Sequence, residues 1–302
     1  MSTLHEPGRP EAAIHDIGYR PYAGPRLGEG AVAWAFFVTG LRNCFGLGRS
    51  GRSKVLPWTL LGLMLLPALI LVGVLVQAGE ALGLDEHIVA YSTYPITTQL
   101  LVSVFVAAQA PALVSRDLRF GTITLYLARP SRRATYVLVR MASLTAATFV
   151  LIAAPLLLLY VGGLLADLPI GRETGRFLGG ALGALLLAAC LGGLGALVAA
   201  FTIRRGLAVA AIIVVLLVSY TVVSTIQGIS VETGHETVGE VAGLFSPYTL
   251  VNGLQVFLLD VPEATPAPPS GTGTGLLYVA GTLLWLGASV VAMLARYRRV
   301  GA

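Results

Sequence analysis

The chain has 302 residues, of which 56% are hydrophobic and only 12% charged, with a formal net charge of +5 and a mean hydropathy of +0.81. A soluble globular domain carries about 25% charged residues, so a water-soluble enzyme or binding module is excluded. The positive balance does not describe a nucleic-acid surface either, because long apolar stretches keep the arginines from forming one basic face.

Residues 55–76, 88–115, 141–166, 177–203, 206–231 and 276–295 contain no Asp, Glu, Lys or Arg. Crossing ~30 Å of hydrocarbon takes ~20 apolar helical residues, so each stretch is long enough. Eighteen of the 20 basic residues fall in 1–54, 115–140, 203–206 and 296–299, while ten of the 15 acids fall in 77–95, 167–176 and 228–275. Arg172 and Arg176 are the two exceptions. This alternation is the positive-inside pattern, which assigns the basic side and both termini to the cytoplasm. Nineteen Arg against one Lys (Lys54), with abundant Ala and Gly, suggest a GC-rich bacterial genome and hence the inner membrane.

The expected fold class is therefore an all-α polytopic membrane protein with six transmembrane helices. An N-terminal interfacial helix precedes them, and an outer re-entrant segment precedes the last span. The expected organisation is a cytoplasmic region 1–54, a transmembrane domain 55–296 and a tail 297–302. The spans are placed at 55–76, 95–114, 137–166, 177–203, 206–228 and 276–295.

In chain order, 1–29 holds four prolines and four glycines, a density that opposes a helix and gives an extended arm, either a partner-docking segment or a plain tail. Within 30–46, Trp34, Val38, Leu41 and Phe45 recur at spacings of four, three and four, one helical face. Such a segment just before a span reads as an amphipathic helix along the inner leaflet. Span two carries Gln99, Ser103, Gln109 and Pro111. Polar groups cost free energy in lipid and are expected to face protein or a water-accessible path. Pro111 is either a functional kink or a tolerated proline.

Span four holds Gly179 and Gly183 at four-residue spacing, then Gly192, Gly193 and Gly195. Small residues let helix backbones approach closely, within the chain in preference to between subunits. Residues 241–259 are also uncharged, yet a seventh crossing would put the two basic ends on opposite sides. Ser246-Pro247 reads as an N-cap and first turn, leaving about 13 residues or ~20 Å of helix, too short to cross. The segment is expected to dip in and return, followed by an external loop at 262–275.

Neither Cys44 nor Cys190 is placed for a disulfide or a metal site. The four histidines, His5, His15, His87 and His235, sit in arms or loops, where solvation is the ordinary state. No Walker phosphate loop, His-x-x-x-His pair or Gly-x-Ser-x-Gly elbow occurs. The absence of a charge at the centre of any span speaks against proton- or sodium-coupled transport.

The loop 115–136 is the informative polar segment. Its apolar positions Leu118, Thr122 and Leu125 have helical spacing, and Pro130 stops the helix after Arg129. Asp117, Gly121, Thr122 and Pro130, followed by Arg133, resemble the loop after the second span in permeases of type-2 ABC transporters, the export type. The run Leu244-Phe245-Ser246-Pro247-Tyr248 is similar to that family's outer re-entrant segment, and six spans with a preceding interfacial helix match its architecture. Departures are Asp117 where Glu is common and the lack of anything resembling a fused ATPase domain.

The resemblance implies a permease subunit of an ATP-driven exporter, itself without catalytic residues, working with a second permease, identical or paralogous. Two copies of a separate ABC ATPase would bind ATP and Mg, with no cofactor held by this chain. Arg116, Asp117, Arg119, Phe120, Gly121, Thr122, Arg129 and Pro130 would form the coupling element, with Trp34, Val38, Leu41 and Phe45 on the helix alongside. Gln99, Ser103, Gln109, Ser219 and Ser224 are the candidate translocation path. The alternative reading is an ATP-independent secondary transporter or channel. The substrate is not legible in the sequence.

Overall fold

Two ends of opposite charge, joined by helices of bilayer length, organise the molecule. A computed structural model describes Gly24 and residues 28–82, 86–115, 132–202 and 204–298. Most of the N-terminal arm, and the coupling residues Arg116, Asp117, Arg119, Phe120, Gly121, Thr122, Arg129 and Pro130, lie outside the described residues.

The elements are α1 (Glu29–Cys44), α2 (Arg52–Leu82), α3 (Tyr94–Thr97), α4 (Gln99–Leu113), α5 (Arg133–Leu165), α6 (Ile170–Phe201), α7 (Arg205–Glu232), α8 (Glu236–Ala242), a 3-10 turn (Gly243–Phe245), α9 (Pro247–Leu259) and α10 (Thr272–Arg298). Among the described residues the regular structure is entirely helical, as the hydrocarbon requires, because each backbone N–H and C=O must be satisfied within its own segment. Among the described residues five helices are long and apolar enough to cross: α2 over Arg52–Gln77, α5, α6, α7 and α10. The span expected at 95–114 is instead broken into α3 and α4 at Thr98 (φ −101°, ψ 15°). Together Tyr94–Leu113 amounts to 20 residues, ~30 Å along a helix axis. Pro111 lies inside α4, two residues before it ends.

At the basic end, Glu29 at the start of α1 pairs with Arg132 (3.9 Å), and Arg133 Nη1 donates to the Arg298 carbonyl at the end of α10 (3.3 Å). Ser115, just past α4, donates to the Ala199 carbonyl near the end of α6 (2.6 Å). Both ends of the described chain thus meet at the start of α5. Apart from Glu29, the acids of the described residues and the loops 86–93, 166–169 and 260–271 gather at the other end.

Helix α6 is the hub. A Cβ on Gly192 would lie 3.2 Å from the Thr145 backbone nitrogen of α5, and one on Gly193 would lie 2.9 Å from Ser289 Cβ of α10. Gly195 meets Val106 of α4 at 2.6 Å by the same measure. Three neighbours therefore approach three glycines of one helix, so the glycine pattern of span four serves packing within the chain. The outer helices expose aliphatic faces: Leu66, Leu69 and Ile70 on α2, Val214, Val218 and Val222 on α7, Leu283 and Leu284 on α10. Faces of that extent belong against lipid or another apolar surface.

Helix α8 with its 3-10 turn meets α9 at 119°. A bend beyond a right angle reverses the direction of travel, so the pair enters and returns at the acidic end, as a re-entrant segment does. Ser246 is extended (φ −127°, ψ 135°) with Pro247 at the first helical position. Thr249 Oγ1 closes the corner on the Gly243 carbonyl (2.7 Å). The segment after α9 is not a free external loop, for Ala267 accepts from Gln227 Nε2 (2.9 Å) and Ala264 N donates to Asn252 (3.2 Å).

Candidate functional site

Helix α1 docks on α5 by a stripe other than the Trp34, Val38, Leu41 and Phe45 face, which its spacing assigns to the inner leaflet. Gly40 and Cys44 are buried, and Ser143 Oγ of α5 donates to the Phe37 carbonyl (3.2 Å). A Cβ on Gly40 would lie 2.8 Å from Ser143 Cβ, so the absent side chain sets the closest approach. Trp34 is left 66% exposed and Val38 and Leu41 half-buried. Only Phe45 of the expected face is buried, its ring centroid 5.8 Å from Phe105. The carbonyl of Phe45 accepts from Trp58 Nε1 (3.2 Å), and Gly46 turns the chain at φ +68°, where a Cβ would strike the Ser53 carbonyl. Trp34 is thereby left clear of the bundle, about a quarter-turn from the buried stripe.

The candidate path residues are distributed over a polar core between α4, α7 and α9. Ser103 is fully buried and shares a 2.8 Å hydrogen bond with Tyr248. Tyr248 also reaches the Gln99 carbonyl at 3.1 Å, while Gln99 Oε1 is buried with no partner among the described residues. The Tyr220 ring of α7 stands edge-on to Tyr248, centroids 6.0 Å apart. Ser219, next to it, bonds back to the Leu216 carbonyl (3.1 Å). Ser224 Oγ is buried without a partner among the described residues. Gln109 is buried too, but lies ten residues, ~15 Å, along α4 from Gln99. Tyr248, from the Ser-Pro-Tyr run, is the residue that joins Gln99 and Ser103, and its hydroxyl near an N-terminal helix turn was the available signal.

The acidic end holds a second constellation, which sequence reasoning missed. Glu173, in the first turn of α6, is 1% exposed. Tyr91 donates to its Oε2 at 2.8 Å, His87 Nε2 stands 3.2 Å from the same oxygen, and Arg176 Nη1 stands 3.7 Å from Oε1. Arg176 also pairs with Glu86 at 2.9 Å. Because the tyrosine proton is directed to the carboxylate, the 2.9 Å contact between Tyr91 and His87 makes Nε2 the protonated nitrogen of the imidazole. Burial, opposed by the Glu173 charge, holds His87 below its ordinary 6.5. Burial and the Glu173 contact raise Tyr91 well above its ordinary value.

His87 therefore departs from the solvated state expected of a loop histidine, with a side chain only 6% exposed. The loop folds down onto Glu173, and desolvating that carboxylate requires donors around it. The same pairing accounts for Arg176, one of the two basic residues on the acidic side. A cleft of about 330 Å3 lies beside this cluster, between the 86–93 loop and Val261–Glu263. Among the described residues no group of three His, Cys, Asp or Glu side chains is placed to hold a metal ion.

Chemically the cluster is a clamp. It fixes the loop before α3 to the start of α6 through one carboxylate satisfied from three directions. No family model matches the sequence, and no curated protein matches it.

Proposed function

We propose that this chain is the transmembrane subunit of an ATP-driven exporter of the type-2 ABC kind, seated in a bacterial inner membrane with its basic end in the cytoplasm. It pairs with a second permease, identical or paralogous, and each rests on a separate ATPase. The observation that carries this reading is the convergence at the basic end. The start of α1, the start of α5 and the end of α10 meet there, flanking the segment whose Asp117, Gly121, Thr122 and Pro130 carry the resemblance.

In this reading the 115–136 segment inserts into a cleft of the ATPase, with Gly121 allowing close backbone approach and Arg116, Asp117 and Arg119 meeting its charges. Closure of the ATPase dimer on ATP then pushes on α4 and α5, the helices on either side of that segment. Displacement of α5 carries α1, which is keyed into it at Gly40 and Ser143. The polar contact of Gln99 and Ser103 with Tyr248, beside the α7 segment that carries Ser219 and Ser224, is the place where such a shift would open a path. Gln109 lies ~15 Å further along α4. The re-entrant pair at the acidic end forms the outer closure.

The experiment is affinity purification of the tagged chain from its native membrane, followed by ATPase and transport assays in proteoliposomes. A Walker-motif subunit is expected to co-purify, and Gly121→Trp is expected to leave ATP hydrolysis running without transport. Substrate flux by the purified chain alone, driven by an ion gradient, would replace this reading with a secondary transporter.

A further inference from the structure

Arg172 is the basic residue that the acidic end does not explain. Among the described residues it takes part in no salt bridge, unlike Arg176 one turn on. It stands at the mouth of a groove of about 930 Å3 between the first half of α6 and the segment Leu259–Glu263. Down the α6 wall run Arg172, Gly175, Gly179 and Leu182, spaced three, four and three, which is one face of a helix. A Cβ on Gly175 would meet nothing within 4 Å, and one on Gly179 would touch Leu259 at 3.3 Å. The glycines form an open floor that the leucines border.

The groove is graded from charged to apolar. Arg172 precedes the uncharged stretch of α6, which starts at residue 177, by five residues or ~8 Å. Leu182, ~15 Å along α6 from Arg172, is ~8 Å inside the uncharged stretch, about a quarter of the way across a hydrocarbon layer of ~30 Å. Leu178, Leu182 and Leu259 are all largely exposed on its borders. Opposite Arg172 stand Asp260 and Glu263, for which, among the described residues, there is no salt bridge either. Arg176 also lines the α6 wall but is already paired with Glu86 and Glu173. That leaves Arg172 facing two carboxylates above an aliphatic channel, a match for a ligand with an anionic group, a cationic group and an acyl tail.

We propose that this groove binds a zwitterionic phospholipid with a primary amine headgroup, of the phosphatidylethanolamine class, from the leaflet at the acidic end. The phosphate accepts from the Arg172 guanidinium and the ammonium donates to Asp260 and Glu263. One acyl chain lies over Gly175 and Gly179 towards Leu182. A purely anionic headgroup would leave both carboxylates unpaired beside it, which costs binding free energy through like-charge repulsion. The site is independent of how the chain is powered and of which side of the membrane the acidic end faces.

The test is native mass spectrometry of the full chain released from nanodiscs containing equal dioleoyl-phosphatidylethanolamine and dioleoyl-phosphatidylglycerol. The wild type is expected to retain phosphatidylethanolamine over phosphatidylglycerol, and Arg172→Gln to lower that retention about tenfold, the effect of one charge-assisted contact. Asp260→Asn, which suits the left-handed backbone at that position (φ 49°), is expected to erode the preference for the amine headgroup. Gly175→Leu, at a position where an added Cβ meets nothing within 4 Å, fills the open floor and is expected to abolish retention while the chain elutes as a folded particle. Equal retention of the two lipids by the wild type, or retention unchanged in Arg172→Gln or Gly175→Leu, overturns the proposal.

Discussion

The Tyr91 hydroxyl donates a 2.8 Å hydrogen bond to the Glu173 carboxylate across 82 residues of sequence. It binds the loop ahead of α3 to the first turn of α6, and so fixes the acidic ends of α4 and α6 to each other. A buried carboxylate that loses a donor keeps its desolvation cost. Tyr91→Phe is therefore expected to destabilise the folded chain by ~1.5–3 kcal/mol. Glu173→Gln is expected to cost less than Glu173→Ala, because the amide still accepts from Tyr91. Thermal unfolding in one detergent, comparing the three variants, checks both the size and the order.

The histidine in that cluster predicts how stability depends on acidity. Its folded value lies below the ordinary 6.5, so the unfolded chain binds the proton more readily. Linkage then gives full stability above about pH 6.5, lost as the pH falls through that value towards the folded one. Glu173 and Glu86 favour the charged imidazole, whereas burial and Arg176 oppose it, and burial dominates. Unfolding midpoints measured between pH 7.5 and 5.5 should fall on acidification in the wild type. His87→Gln should flatten that part of the profile. A flat wild-type profile, or an unchanged slope in the variant, contradicts the assignment.

Much of the architecture was legible because the membrane imposes it. The five long apolar helices and the sharply bent pair α8–α9 follow from uncharged length and the Ser246-Pro247 turn. The break at Thr98 was not legible, since neither Gly nor Pro marks it. The docking stripe of α1 was not legible, for a reason of packing. Hydrophobic spacing selects Trp34 and Val38, but a helix meets another most closely through its smallest residue, here Gly40. The clamp at the acidic end was invisible because Glu86, His87 and Tyr91 are far in sequence from Glu173 and Arg176. Nothing local distinguishes those residues from ordinary solvated loop charge.

The contact at Gly40 makes α1 separable from the rest. A leucine there would have to displace Ser143 and the α5 backbone behind it, so Gly40→Leu should lift α1 from the bundle. The cost is ~1–3 kcal/mol, as for overpacking elsewhere. Gly62→Ala, where a Cβ meets nothing, serves as the control and should be neutral or stabilising by up to ~1 kcal/mol. Limited proteolysis after α1 distinguishes the two. Cutting near Gly48 should speed up in Gly40→Leu and stay slow in Gly62→Ala.

The polar core between α4 and α9 yields an asymmetric prediction. Tyr248 has two partners, the Ser103 hydroxyl and the Gln99 carbonyl, whereas Ser103 depends on Tyr248. Ser103→Ala removes one bond and leaves Tyr248 satisfied by the carbonyl, for an expected cost of ~0.5–1.5 kcal/mol. Tyr248→Phe strands Ser103 in a buried site and removes both contacts, so it should cost more, ~1–3 kcal/mol. In the double variant the stranded serine is gone, and its cost should be less than the sum of the two single changes. A double-mutant cycle in thermal unfolding reads this directly. Strict additivity would mean that the two hydroxyls do not meet, and that Ser103 faces an open, hydrated space after all.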